Sequence, residues 1–137
     1  MCVRRFKNDG SRFVILHVED DPVARGILNR NISLKFPTTI LMAAENGEIG
    51  LEMINMFSPD LVITDISMPI MDGLTMAEQI KAIFPDKPII ILSADDLNYR
   101  LKEKSKEMGV DLCLQMPIKF DRLSSALEQF MQSAIHH

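Results

Sequence analysis

The stretch FVILHVEDDPVARGILNRNISLKFP, residues 13–37, decides the fold. Residues 13–18 form a short, nearly unbroken apolar run, as a strand covered on both faces requires. Glu19, Asp20 and Asp21 end that run. Asp21 followed by Pro22 marks a helix start. The carboxylate can accept the orphan N–H groups of the first turn, and proline loses nothing there by lacking an N–H. A helix over residues 22–35 follows, with Val23, Ile27 and Leu28 expected on its inner face, and Phe36-Pro37 closes it. A doubly covered strand that feeds a helix is the repeating unit of a parallel sheet.

The same alternation recurs to the end of the chain. TTILMA (38–43) reads as the second strand, Asn46-Gly47 as a turn, and 48–57 as a helix with Leu51, Ile54 and Met56-Phe57 at its apolar positions. LVIT (61–64) is the third strand and ends at Asp65; the irregular ISMPIMDG leads into a helix over 74–84. PIIIL (88–92) ends at Ser93, and a more polar helix over 96–107 carries a narrow stripe of Leu97, Leu101 and Met108, with Gly109 as its cap. DLCLQ (111–115) is the fifth strand, and 121–134 the last helix, with Leu123, Leu127, Phe130, Met131 and Ala134 inward. Five strands alternating with five helices imply an α/β fold: one five-stranded parallel sheet, doubly wound. The expected organisation is a flexible leader over 1–12, one folded domain over 13–134 and a tail over 135–137.

Size and charge narrow the functions. A chain of 137 residues fits one core, and its 47% apolar content is enough to fill it. Fifteen basic against nineteen acidic side chains leave a net charge of -4, which gives no reason to expect a nucleic-acid partner. No apolar run reaches the roughly 20 residues a membrane span needs, and no signal peptide is visible. Two distant cysteines, Cys2 and Cys113, suit a reducing, cytoplasmic compartment.

Ligands of open parallel sheets gather beyond the carboxyl ends of the strands, where the strand order reverses. Those ends supply Glu19, Asp20 and Asp21; Asp65; Ser93, Ala94 and Asp95; and Met116 and Pro117. Carboxylates that converge repel one another, by ~4 kcal/mol for two unit charges ~4 Å apart at a surface-like dielectric. A hard cation removes that cost, and an open, all-oxygen rim favours Mg2+. Asp21 alone reads as a helix cap, and Glu19 and Asp20 alone as a solvated loop. The acidic pair after strand one combined with a single Asp after strand three is far more specific. His17, inside the first strand, reads as a packed side chain, and Lys102, Lys104 and Lys106 as a solvated helix face.

These segments resemble the receiver domains of response regulators. VILHVEDDPVAR is similar to the family's opening, AAENGEIGLEMI to its second strand and helix, and PIIILSAD to the segment bearing its switch hydroxyl. Most specific is DLVITDISMPIMDGLTMAEQI, which resembles the phosphorylation segment. The resemblance covers residues 13–134 and implies a flavodoxin-like (βα)5 fold. It implies Asp65 as phosphoacceptor, Asp20 as a direct Mg2+ ligand, Glu19 as a ligand through water and the Ser67 carbonyl as a further ligand. Ser93 would bond a phosphoryl oxygen, and Pro69 and Gly73 would shape the loop. A histidine kinase or phosphotransfer protein would be the donor. A downstream protein would contact the face of helix four, strand five and helix five, where Tyr99 and Arg100 lie.

The family pattern breaks at two switch positions. Met116 stands before Pro117 where the family places lysine, and Cys113 replaces an aromatic residue. Methionine supplies neither charge nor a donor. A full population flip takes ~5.5 kcal/mol and a charge-assisted hydrogen bond supplies ~1.5–3 kcal/mol, so phosphorylation is expected to switch this domain only weakly. Lys119, three residues on, is a candidate substitute. The preferred reading is a phosphorelay signalling module rather than an enzyme. The alternatives are a degenerate receiver that binds partners without phosphate and, well below it, a small Mg2+-dependent hydrolase with Asp65 as nucleophile.

Overall fold

The computed structural model describes residue 7, residues 10–93 and residues 99–136, without the side chains of 99–101, 135 and 136. Cys2, Ala94, Asp95 and Leu97, and the side chains of Tyr99, Arg100 and Leu101, therefore lie outside the described residues.

The chain alternates strictly: β1 Val14–Val18, α1 Pro22–Lys35, β2 Ile40–Ala44, α2 Gly47–Phe57, β3 Leu61–Asp65, α3 Gly73–Ile83, β4 Ile89–Ser93, α4 Tyr99–Glu107, β5 Leu112–Gln115 and α5 Phe120–His136. All neighbouring strands are parallel and the order is β2-β1-β3-β4-β5. The expected α/β architecture is the one observed. The strand order reverses at β1, which has β2 on one side and β3 on the other. The ends of β1 and β3 are thus the switch-point crevice.

Strand alternation sorts the core into two layers. Ile15, Leu61, Ile63, Ile90, Leu92 and Leu114 pack under α1 and α5 with Ile32, Phe36, Leu123, Leu127 and Met131. Leu16, Val18, Val62, Ile89 and Ile91 pack on the other face with Ile54, Met76, Ala77 and Ile80 of α2 and α3. The inward positions read for α5 hold: Leu123, Leu127 and Met131 are buried, and Phe130 and Ala134 flank them.

Local expectations for α1 and α2 need correction. Val23 and Ile27 are 66% and 59% exposed, and the inner face of α1 is instead Leu28 and Ile32. Apolar residues occupy two faces of this helix, and only the seating of Ile32 and the capping Phe36 against β1 settles its rotation. Met56 and Phe57 are likewise exposed, because Ile54 and the partly buried Ile49, Leu51 and Met53 already fill the inner side of α2. Asn46-Gly47 is not a free turn. Asn46 caps α2 by accepting from the Ile49 N–H at 2.9 Å, and Gly47 is its first helical residue. Of the segment read as a leader, Lys7 pairs with Asp60 at 3.2 Å and Arg12 donates to the carbonyls of Thr38 and Thr39.

Candidate functional site

β1 and β3 run side by side with Val18 opposite Thr64, so the next residues, Glu19 and Asp65, emerge at the same rim. Glu19, Asp20 and Asp65 each bring a carboxylate oxygen to a cluster in which all such oxygens lie within 4.8 Å. The acidic set read from the sequence is brought together.

The backbone around the cluster is tightly braced. Arg25 donates to the Glu19 carbonyl at 2.6 Å, and the Asp21 carboxylate caps α1 through Val23 N at 2.9 Å. The helix-cap reading of Asp21 holds. On the β3 side the buried Thr64 hydroxyl donates to the Asp65 carbonyl at 2.9 Å, and Ile66 N donates to Leu92 O at 3.0 Å. Gly73 N returns to Ile66 O at 2.8 Å while Asp72 caps α3. A Cβ on Gly73 would stand 2.1 Å from the Asp65 carbonyl oxygen, so only glycine lets α3 begin this close to the acceptor strand. Close backbone packing is thus the reason for a glycine at this position. One on Gly47 would stand 2.8 Å from the Met71 carbonyl, so the start of α2 braces the same loop. Thr64 and Gly47 were missed in the sequence. The one signal for Thr64 is a hydroxyl inside the apolar run LVITD.

Between β3 and α3 the loop carries Ser67, which is exposed two residues after Asp65. Ile70 within it has φ +70, and Met71 N donates to Pro69 O at 2.7 Å, the hydrogen bond of a γ-turn. Ser93 ends β4 next to Asp65 in the sheet order and is 2% exposed. β5 ends beside it, and Met116 N donates to Ser93 O at 2.7 Å. Met116 turns to the α1 side, where it lines a hollow of ≈ 250 Å³ with Ile27, Leu28, Ile118 and Phe120. Cys113 packs on the opposite face, towards α3. Pro117 and Lys119 lie on the outer edge by Gln115 and Arg122. Among the described residues no hydrogen bond or ion pair links the exposed Lys119 to the acidic cluster.

Crowding shows in the proton affinities. Glu19 is pushed up to about 7, first by burial, then by its hydrogen bond with Asp20 and the charge of Asp65. Asp65 is also raised, again first by burial. His17 behaves as a structural residue: burial pushes it down to about 4 against the bond from its ring to Asn29 Oδ1 at 3.0 Å. The cluster thus offers only hard oxygen donors and excess negative charge, which fits a small divalent cation.

A cation at this position must displace protons. Glu19 has a folded value above its ordinary 4.5, so its protonated form stabilises the metal-free protein. That contribution is complete below pH 4.5 and is lost as pH rises through about 7. Stabilisation by Mg2+ runs the other way. In thermal melts, saturating Mg2+ is expected to raise the midpoint little near pH ~5 and strongly near pH ~8. Equal shifts at both would contradict binding at this cluster.

A family model for the response regulator receiver domain matches residues 15–128. The chain is 34% identical over 119 residues to the probable C4-dicarboxylate response regulator DctR of Priestia megaterium, covering 86% of this chain and 51% of that protein. It thus spans about half the length of that relative. Among solved structures it is similar to the N-terminal domain of an uncharacterized protein from Wolinella succinogenes, with 40% identity and a TM-score of 0.78 over 86% of this chain and 93% of that one. It is also similar to the response regulator protein TrrA of Thermotoga maritima in complex with Mg2+ and BeF. Identity there is 31% and the TM-score 0.76, over 86% of this chain and 98% of that one. No helix of the described residues is long and apolar enough to cross a membrane.

Proposed function

Because the chain belongs to the response regulator receiver domain family, we propose that Asp65 accepts a phosphoryl group beside a Mg2+ ion and that the domain works in a two-component phosphorelay. The convergence of Glu19, Asp20 and Asp65 at the end of β1 and β3 carries this reading. Asp20 and Asp65 would hold the metal directly, Glu19 through water and Ser67 through its backbone carbonyl. Bound there, Mg2+ would neutralise the charge on the phosphoryl oxygens, without which a carboxylate is too weak a nucleophile.

The donor is a histidine kinase or phosphotransfer protein carrying phosphohistidine. A carboxylate oxygen of Asp65 forms the new bond to phosphorus as the phosphorus–nitrogen bond breaks. The imidazole leaves and takes up a proton, and an acyl phosphate remains. The Ser93 hydroxyl, sitting at the end of the neighbouring strand, bonds a phosphoryl oxygen of the product. The folded domain spans 13–134, and the protein acts in the cytoplasm through a downstream protein on the α4, β5 and α5 face. Met116 and Cys113 weaken the coupling of that face to phosphorylation, because neither can supply the donor or the ring that the resemblance leads one to expect there.

Incubation with acetyl phosphate and Mg2+ should add one phosphoryl group by mass. Beryllofluoride with Mg2+ should perturb the amide spectra of residues 65–67 and 93. If neither occurs in a folded, Mg2+-saturated sample, the domain binds partners without phosphate and the proposal is wrong.

A further inference from the structure

In β3, Leu61, Ile63 and Asp65 alternate onto the sheet face under α1 and α5. In β5, Leu112, Leu114 and then Met116 do the same. Met116 continues the β5 ladder by its bond to the Ser93 carbonyl, and β4 is the single strand between it and Asp65. A thioether therefore occupies the same rim and the same face as the acidic cluster.

Arg25 reaches the backbone carbonyl of Glu19. Among the described residues the ion pairs are Lys7–Asp60 and Lys81–Asp111, neither at the cluster. Among the described residues no lysine or arginine forms an ion pair with the Glu19, Asp20 or Asp65 carboxylates.

Resting on the reading of this cluster as a Mg2+ site, we propose that Met116 is an affinity-determining residue for the metal: by placing a neutral, apolar side chain on the cluster's face of the sheet, it adds no positive charge that would compete with the divalent cation for the carboxylates. A cationic side chain at 116 would compete with the metal for those carboxylates and repel it. Mg2+ would then be resident before any phosphoryl group arrives.

The experiment is a calorimetric titration of the whole chain with MgCl2 near pH ~8 on wild type, Met116→Lys, Met116→Arg and Met116→Leu. Either cationic variant should bind Mg2+ about ten-fold more weakly, ~1.4 kcal/mol, whereas Met116→Leu should match wild type. The gap should shrink with added KCl, since a charge effect is screened and a packing effect is not. Circular dichroism melts check folding, and two cationic variants guard against one that fails to fold. Equal affinity of wild type and folded cationic variants overturns the role of Met116 while leaving the metal site standing. Equal weakening in Met116→Leu also overturns it, because packing would then be the cause. Absence of Mg2+ binding by wild type overturns both this inference and the reading it rests on.

Discussion

Asp65→Asn is expected to abolish phosphoryl incorporation from acetyl phosphate completely and, at the same time, to make the metal-free domain more stable at neutral pH. The first effect follows from chemistry. A side-chain amide offers no carboxylate oxygen to form an acyl phosphate. The second follows from the crowding of three carboxylates within 4.8 Å. Burial raises the proton affinity of Asp65, so its ionised form costs folding free energy. The sign can be checked by pH: the gain of the variant should vanish at low pH, where Asp65 is protonated anyway, and grow as pH rises through its folded value. Mass spectrometry reads the first effect and denaturant unfolding at several pH values the second. A variant that still gains a phosphoryl group would mean that Asp65 is not the acceptor. A variant less stable than wild type at every pH would mean that the cluster is held by something other than mutual repulsion. The same variant separates the family role from hydrolysis. Steady turnover of a phosphate ester that stops on Asp65→Asn is the behaviour of a hydrolase, not of a module phosphorylated once per cycle.

How much of this was legible beforehand depends on which interactions are local. The acidic cluster was legible because the parallel βα alternation, readable from apolar runs, forces strand ends to one rim. Neither Glu19 nor Asp65 needs a particular side-chain packing to arrive there. The rotation of α1 was not legible. Val23, Ile27, Leu28, Ile32 and Leu34 supply apolar residues to more than one face, and the choice is made by contacts from β1 and α5 that lie far off in sequence. The start of β2 failed in a related way. Thr38 and Thr39 have good strand propensity, but the register with β1 begins at Ile40, and Arg12 holds the two threonine carbonyls in the preceding turn. Lys119 was a fair candidate by spacing alone. Its direction depends on how the chain leaves β5, which spacing does not specify.

Gly73 joins the fold to the chemistry, and its replacement is the most destructive small change available near the site. In Gly73→Ala the new Cβ would sit 2.1 Å from the Asp65 carbonyl oxygen, 3.0 Å from its carbon and 3.1 Å from Ile66 Cα. All three are backbone atoms, and Thr64 Oγ1 already pins that carbonyl at 2.9 Å, so no flexible side chain can yield. Relief must come from moving the start of α3 or the end of β3. The first loses the Gly73 N to Ile66 O bond and disturbs the Asp72 cap; the second displaces Asp65 itself. Overpacking of this kind typically costs about 1–3 kcal/mol, and loss of a cap adds about 1 kcal/mol. Gly26→Ala provides the contrast, because it lies on exposed α1 with nothing within 4 Å of its Cβ. There alanine should stabilise by roughly 0.5–1 kcal/mol through helix propensity alone. Chemical denaturation of the two variants side by side should therefore move the midpoint in opposite directions. Gly73→Ala should also lose Mg2+ affinity and phosphoryl uptake, while Gly26→Ala keeps both. If Gly73→Ala kept full stability and full Mg2+ affinity, the close approach of α3 to the Asp65 carbonyl would not be a constraint on this site.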